Sequence, residues 1–299
     1  MVAPVLAQTK SHLCNLFKIN GSTYPATSIT LKDNATQLAI EDKIIANIPT
    51  QHPQDEIPIT LDGKAIYCVA GTLTADLVKE AASTGQFIIY GSINHNDRNY
   101  IRSYTNGAKS IKFINIDGEQ VTSLQQILYE SEASSVTFEN CNFSKVWTLL
   151  NAFSYMSNLT SFSFKGMGLT NKLTELRYMF FGCKKLESVD FCNCDFSSVN
   201  NLYGMFSNCS ALKSIDFSSC NLTSVSSTGN MFNSCSALES IDFSNCDFSN
   251  VTTKQYYMFA GCKALKEIKA IGCNKATIAF LKDRLNDAGL TNQVTLTVK

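Results

Sequence analysis

The chain has 299 residues, 44% of them hydrophobic, which is enough for one large core or two modest ones. Its 25 basic and 25 acidic residues cancel, and no block of like charges occurs, so the electrostatic footprint of a nucleic-acid binder is missing. No window approaches the roughly 18 consecutive apolar residues that would span a bilayer, so no membrane span is expected.

The first twenty residues, MVAPVLAQTKSHLCNLFKIN, carry a small apolar run without a basic stretch before it, and read as no export signal. Residues 1–62 do not obey the repeat described below. Alternating stretches such as LFKIN, TSITL and IPITL, broken by Gly, Asn and Pro, predict a small strand-rich region that serves as a cap or as an anchor for assembly. QLAIEDKIIANI fits a strand pair or a helix.

From residue 63 the chain repeats itself. Met179-Phe180, Met205-Phe206, Met231-Phe232 and Met258-Phe259 recur at intervals of 26, 26 and 27 residues. The apolar residue opening each IDF-like triplet extends the series through Ile111, Val136, Phe162, Val189, Ile215, Ile241, Ile268 and Val294, in steps of 25 to 27. AIYC at 65–68 and FIIY at 87–90 fit two earlier coils. A fixed period of this length predicts a solenoid, because one unit cannot bury its apolar face alone and stacks on its neighbour.

Within a triplet the outer residues, such as Ile215 and Phe217, alternate inward on a short strand, and the middle one, Asp216, points out. Successive strands then form one parallel sheet stepping about 4.8 Å per coil. Segments such as LYGMFSNC return Met205, Phe206 and Cys209 to the same core through a turn of helix or an irregular arc. The expected fold class is therefore an α/β solenoid with a stacked parallel sheet over 63–273 and a capping unit over 274–299. In the cap, NKATIAFLKDRLNDAGL places Ile278, Leu281, Leu285 and Ala288 on one helical stripe, with Gly289 as the C-terminal stop.

Nine of the 12 cysteines follow the repeat. Cys183, Cys209, Cys235 and Cys262 form one column; Cys141, Cys194, Cys220, Cys246 and Cys273 form another. They are expected to be reduced, buried small hydrophobes whose thiols reach loop carbonyls. Without a Cys-x-x-Cys pair, no metal is expected. Cys192 falls on the outward phase of its strand with no base nearby to activate it. His12, His52 and His95 sit in no catalytic motif, so no catalytic residue and no cofactor is assigned.

The outward columns supply the candidate ligand-binding residues. Asp190, Asp216 and Asp242 stack in the middle position, with Glu187, Lys213 and Glu239 alternating in sign beside them. Three carboxylates about 5 Å apart repel by roughly 1 kcal/mol per neighbouring pair near a wet surface, unless a cation or a basic partner sits there. A solvated face, or carboxylates bonded to loop amides, would explain the same column.

The pattern L-x-x-I-x-F-x-x-C-x-F, in LESVDFCNCDF, LKSIDFSSCNL and LESIDFSNCDF, resembles a leucine-rich repeat. The wording MFxxCxxLxxIDFSxCxFSxV is similar to the BspA-like leucine-rich repeats of bacterial surface proteins, common in Bacteroides. That resemblance implies adhesion without catalysis, a protein or glycan ligand on the exposed sheet face, and a place on the outside of a bacterial cell. A structural or host-attachment protein of a phage or phage-like particle, anchored through residues 1–62, is the alternative.

Overall fold

The structure, a computed structural model, describes residues 107–299 except 192–193 and 252–255, together with Ile93, Ile101, Arg102 and the backbone of the strands before them. Those early strands are β1 (Leu16–Ile19), β2 (Ser22–Pro25), β3 (Ile29–Lys32), β4 (Gln37–Ile40), β5 (Lys43–Asn47), β6 (Ile57–Leu61), β7 (Lys64–Ala70) and β8 (Gln86–Ser92). The stretch QLAIEDKIIANI is a strand pair: β4 and β5 run antiparallel, with β3 on the other side of β4.

The front wall is completed by β9 (Ser110–Asp117), β10 (Ser135–Glu139), β11 (Ser161–Ser163), β12 (Ser188–Asp190), β13 (Ser214–Asp216), β14 (Ser240–Asp242), β15 (Glu267–Lys269) and β16 (Thr295–Thr297). Pairs from β7 to β10 are parallel, which makes AIYC and FIIY the first coils. Along β10 the residues alternate exposed and buried, as the repeat requires. At the N-terminal end β6 pairs antiparallel with β7, and β1 and β2 follow it, so one seven-stranded sheet joins these three strands to the first coils.

The front sheet is not continuous. It divides into β2–β1–β6–β7–β8–β9–β10, β11–β12 and β13–β14–β15–β16. From β11 onward the strands are three residues long, which leaves few ladder hydrogen bonds per step. Aromatic rings hold the stack across the divisions: Phe191 lies on Phe217 at 4.7 Å, and Phe138 meets Phe162 at 6.1 Å.

The opposite wall is built from turns. Leu202, Gly204, Phe206 and Asn208 donate backbone hydrogen bonds to Ser227, Gly229, Met231 and Asn233 of the next coil, at 2.7–2.9 Å. The residues between them, Met205, Ser207 and Cys209, donate three residues back within their own coil. Coils starting at Leu124, Leu149 and Leu176 repeat this scheme. Such an arc satisfies the buried backbone groups without a helix. The described solenoid is thus a parallel-sheet β-solenoid of about seven turns with little helix.

The last coil differs. Helix α1 (Lys275–Asp287) replaces the turn arc, capped by the Asn274 side chain, which accepts from the backbone N–H of Thr277. Leu290 N–H bonds to Leu285 O and Gly289 N–H to Asn286 O, with Gly289 at φ +70°, the glycine stop expected from sequence. The helical arc lengthens the unit: Ile268 pairs with Leu296, 28 residues on, instead of Val294. Thr297, not Thr295, therefore continues the outward column after Lys269. Val294 is nonetheless buried.

Between the walls run two files of phenylalanines. Phe153, Phe180, Phe206, Phe232 and Phe259 stack from the turn wall at 5.5–6.1 Å. Phe164, Phe191, Phe217 and Phe243 stack from the front wall at 4.7–5.6 Å. The files meet edge to face, as in Phe206–Phe217 at 6.4 Å. The core residues Val136, Phe162, Ile215, Ile241 and Ile268 are buried as their register requires, and Val189 is half-buried against the same core. Phe217 touches Phe191, Phe206, Phe232 and Phe243 at once. Phe217→Ala is expected to destabilise the chain by about 3–5 kcal/mol in denaturant unfolding, because neither file can collapse onto the gap without leaving its stack.

Candidate functional site

The front face is set by the outward phase of the strands. Parallel registers place Lys112 beside Thr137, Ser163 beside Asp190, Asp216 beside Asp242, and Asp242 beside Lys269. Of the three aspartates, then, the sheet brings Asp216 and Asp242 together. Asp190 lies across the division between β12 and β13, where it accepts from the Ser163 hydroxyl at 3.1 Å.

Each carboxylate of the pair has a local task. Asp216 accepts from the backbone N–H of Ser218 at 2.7 Å, and Asp242 from that of Ser244 at 2.9 Å. This two-residue closure turns the chain out of the strand. The same device recurs lower on the coil, where Asp195 and Asp247 accept from Ser197 and Ser249. Those bonds hold both carboxyls below the usual aspartate range.

Glu187, Lys213 and Glu239 form a ladder of alternating sign that Lys266 extends by one coil. Lys213 binds Glu187 at 2.7 Å and Lys266 binds Glu239 at 2.8 Å. Glu187, with Glu239 on its other side, raises the Lys213 ammonium above its ordinary value. Lys266 lowers Glu239. All four side chains are more than half exposed, so solvent and salt screen these pairs strongly. Lys112 and Glu139 make a similar pair at 3.2 Å near the first coils.

The cysteine columns lie inside the walls. Cys183, Cys209, Cys235 and Cys262 donate their thiols to the carbonyls of Phe153, Phe180, Phe206 and Phe232 in the preceding coil, at 3.0–3.1 Å. In the second column Cys141, Cys246 and Cys273 reach Phe113, Phe217 and Phe243 at 3.1–3.4 Å. All nine described cysteines are free thiols. Burial pushes the Cys141 thiol up to about 11, Cys183, Cys220 and Cys262 up to about 12, and Cys209, Cys235 and Cys246 further still. Cys192, His12, His52 and His95 lie outside the described residues. Among the described residues no group of three His, Cys, Asp or Glu side chains is placed to hold a metal, and no helix is long and apolar enough to cross a membrane.

One feature of the turn wall escaped the repeat motif. Tyr129, Tyr155, Phe181, Tyr178 and Tyr203 touch ring to ring from coil to coil, at 5.1–5.5 Å. Tyr129 and Phe181 share an alignment position two units apart, but Tyr155, Tyr178 and Tyr203 each stand at another, so only the fold brings the five into a line. Tyr155 is 44% exposed.

Two outcomes follow from this geometry. Because the thiols keep their protons in the folded chain and release them near 8.5 when unfolded, the unfolded state binds fewer protons above that value. The stability of the buried thiols is full below pH 8.5 and is lost as pH rises towards the folded values, at about 1.4 kcal/mol per pH unit for each thiol. Urea midpoints should fall steeply between pH 9 and 11, while a thiol-specific chromophore at pH 7.5 should react with few groups before denaturant is added. On the front face, Asp216→Ala with Asp242→Ala should lower stability by about 1–3 kcal/mol in the same assay, whereas Asn at both sites keeps the acceptor and holds the midpoint.

No curated protein matches this chain. Residues 163–271, somewhat more than a third of the chain and the part with the strictest repeat, match the family model described as Mycoplasma protein of unknown function, DUF285.

Proposed function

We propose that the chain is a noncatalytic recognition protein of the kind represented by the BspA-like leucine-rich repeats, with the solenoid surface as its binding instrument and an outer cell surface as its place of work. The observation that carries this reading is the fixed register of outward side chains within each front sheet, on a backbone whose turn wall is bonded from coil to coil. A surface of that kind presents an extended, preorganised row of contacts, which lowers the ordering cost of binding. The match of the repeat segment to the DUF285 model supports a shared scaffold. The cysteines support the same reading, since their protonated, carbonyl-bonded thiols act in cohesion between coils.

Binding of the purified chain to a panel of immobilised glycans and cell-surface proteins, at low and physiological salt, tests the proposal. A saturable, reversible interaction is expected. If the front face makes the contact, Asp190→Asn, Asp216→Asn and Asp242→Asn together weaken it and flatten its salt dependence at an unchanged melting temperature. Binding indifferent to that triple variant removes the front face from the reading.

A further inference from the structure

Each turn arc holds two residues with φ between about +50° and +80°, four positions apart. Glycine and asparagine reach this left-handed region readily, and Asn151, Gly204, Asn208 and Asn230 occupy it here. Gln126, Glu130, Ser234 and Tyr257 occupy it as well, and so do Tyr155 and Tyr178, at φ +60° and +56°. The steric cost there, about 1–2 kcal/mol for a tyrosine, is imposed by the arc at every coil, whichever residue fills the position. Neither ring enters the core. Tyr155 lies over Gly182 and Tyr178 over Gly204, so close that a Cβ on those glycines would come within 2.9 and 2.5 Å of the rings.

The two rings are the middle of a stripe that runs along the solenoid. Arg102 sits 5.5 Å from the Tyr129 ring and bonds to Gln126; Tyr203 accepts from the Asn230 amide at 2.6 Å at the other end. Four of the five rings carry hydroxyls. The charges beside the stripe oppose one another: Arg177 faces Glu175 at 3.8 Å, and Arg102 and Glu130 act on the Tyr129 phenol in opposite directions. It is one ring wide per coil, and two where Tyr178 and Phe181 share a coil, which does not make the patch of roughly 800 Å² that a standard protein partner covers. A narrow line of amphipathic rings and amides without net charge complements a neutral ligand that is itself linear and periodic.

We propose that the tyrosine stripe of the turn wall binds a linear neutral glycan, with sugar C–H faces on the rings and sugar hydroxyls on the phenols and amides. This rests on the recognition reading, names its ligand class, and moves the contact from the front face to the turn wall. Aromatic side chains serve such ligands because one end is apolar and the other wet.

Calorimetric titration with cellohexaose and mannohexaose tests it, beside a hyaluronan hexasaccharide and a proline decapeptide. At least one neutral hexasaccharide is expected to bind with little salt dependence, and Tyr155→Asn with Tyr178→Asn, which suits the left-handed backbone, weakens it roughly tenfold or more. Should that variant lose its fold, Tyr129→Phe with Tyr155→Phe keeps the rings, and a several-fold loss at an unchanged melting temperature is expected. Failure of both neutral sugars to bind at millimolar concentration overturns the proposal, as does binding that survives the tyrosine variants or preference for the proline peptide or hyaluronan. A sugar lost only in the triple Asp→Asn variant leaves the recognition reading standing at the front face and this inference fallen. A chain with no ligand on either wall takes both down.

Discussion

A carbonyl oxygen has two lone pairs, and the Phe206 carbonyl uses both inside the core. One accepts from the Cys209 backbone N–H of its own coil, and the other from the Cys235 thiol of the next. The Phe180 carbonyl does the same with Cys183 and Cys209. Alanine at the cysteine position would leave the second lone pair empty, and serine would bring a more strongly hydrated group into a dry site. Cysteine fits because it packs as a small hydrophobe and still donates weakly. The rest of the coil is arranged around this tie: the turn that presents the carbonyl, the ring stacked beneath it and the strand across the core.

The tie also explains how three-residue strands suffice. Sheet hydrogen bonding on the front wall is short and twice divided, so cohesion falls mainly to the turn wall, the thiols and the phenylalanine files. Each of these acts between nearest neighbours along the axis. Stability in such an object is a sum of similar interfaces, and the two ends need separate solutions. At the C-terminal end α1 buries Leu281 and Leu285, with Arg284 held by Asp283 and Asp287. At the N-terminal end the sheet changes from parallel to antiparallel at the β6–β7 pair.

Much of this was legible in the amino-acid order, because period and alternation are one-dimensional properties. The inward column, the two cysteine columns and the Gly289 stop follow from spacing alone. Other features depend on backbone torsions that the repeat letters do not encode. The return arc reads as a helix or as irregular chain because Asn, Gly, Tyr, Gln, Glu and Ser all take its left-handed positions. The final register slipped by two residues because Val294 and Leu296 both have the right chemistry, and only the length of α1 decides between them. The aspartate column was visible, but its bonds to Ser218 and Ser244 were not, since a carboxylate that closes a turn and one that awaits a ligand look alike in sequence. The tyrosine stripe was invisible because its members occupy different positions in successive repeats.

The ladder Glu187, Lys213, Glu239, Lys266 has a bearing on how such a chain can gain or lose units. Neighbouring coils are nearly interchangeable in their core, so removing one would leave the ring files and the thiol ties intact. The ladder, however, has a period of two coils. Excising a single unit between β12 and β14 would set Glu187 against Glu239, like sign on like sign, whereas excising two restores opposite partners. The interior of this solenoid counts coils one at a time, and its surface counts them in pairs. Within these four coils, then, losing or gaining one unit sets like charges side by side and losing or gaining two does not, so parity belongs to the row and to no single repeat.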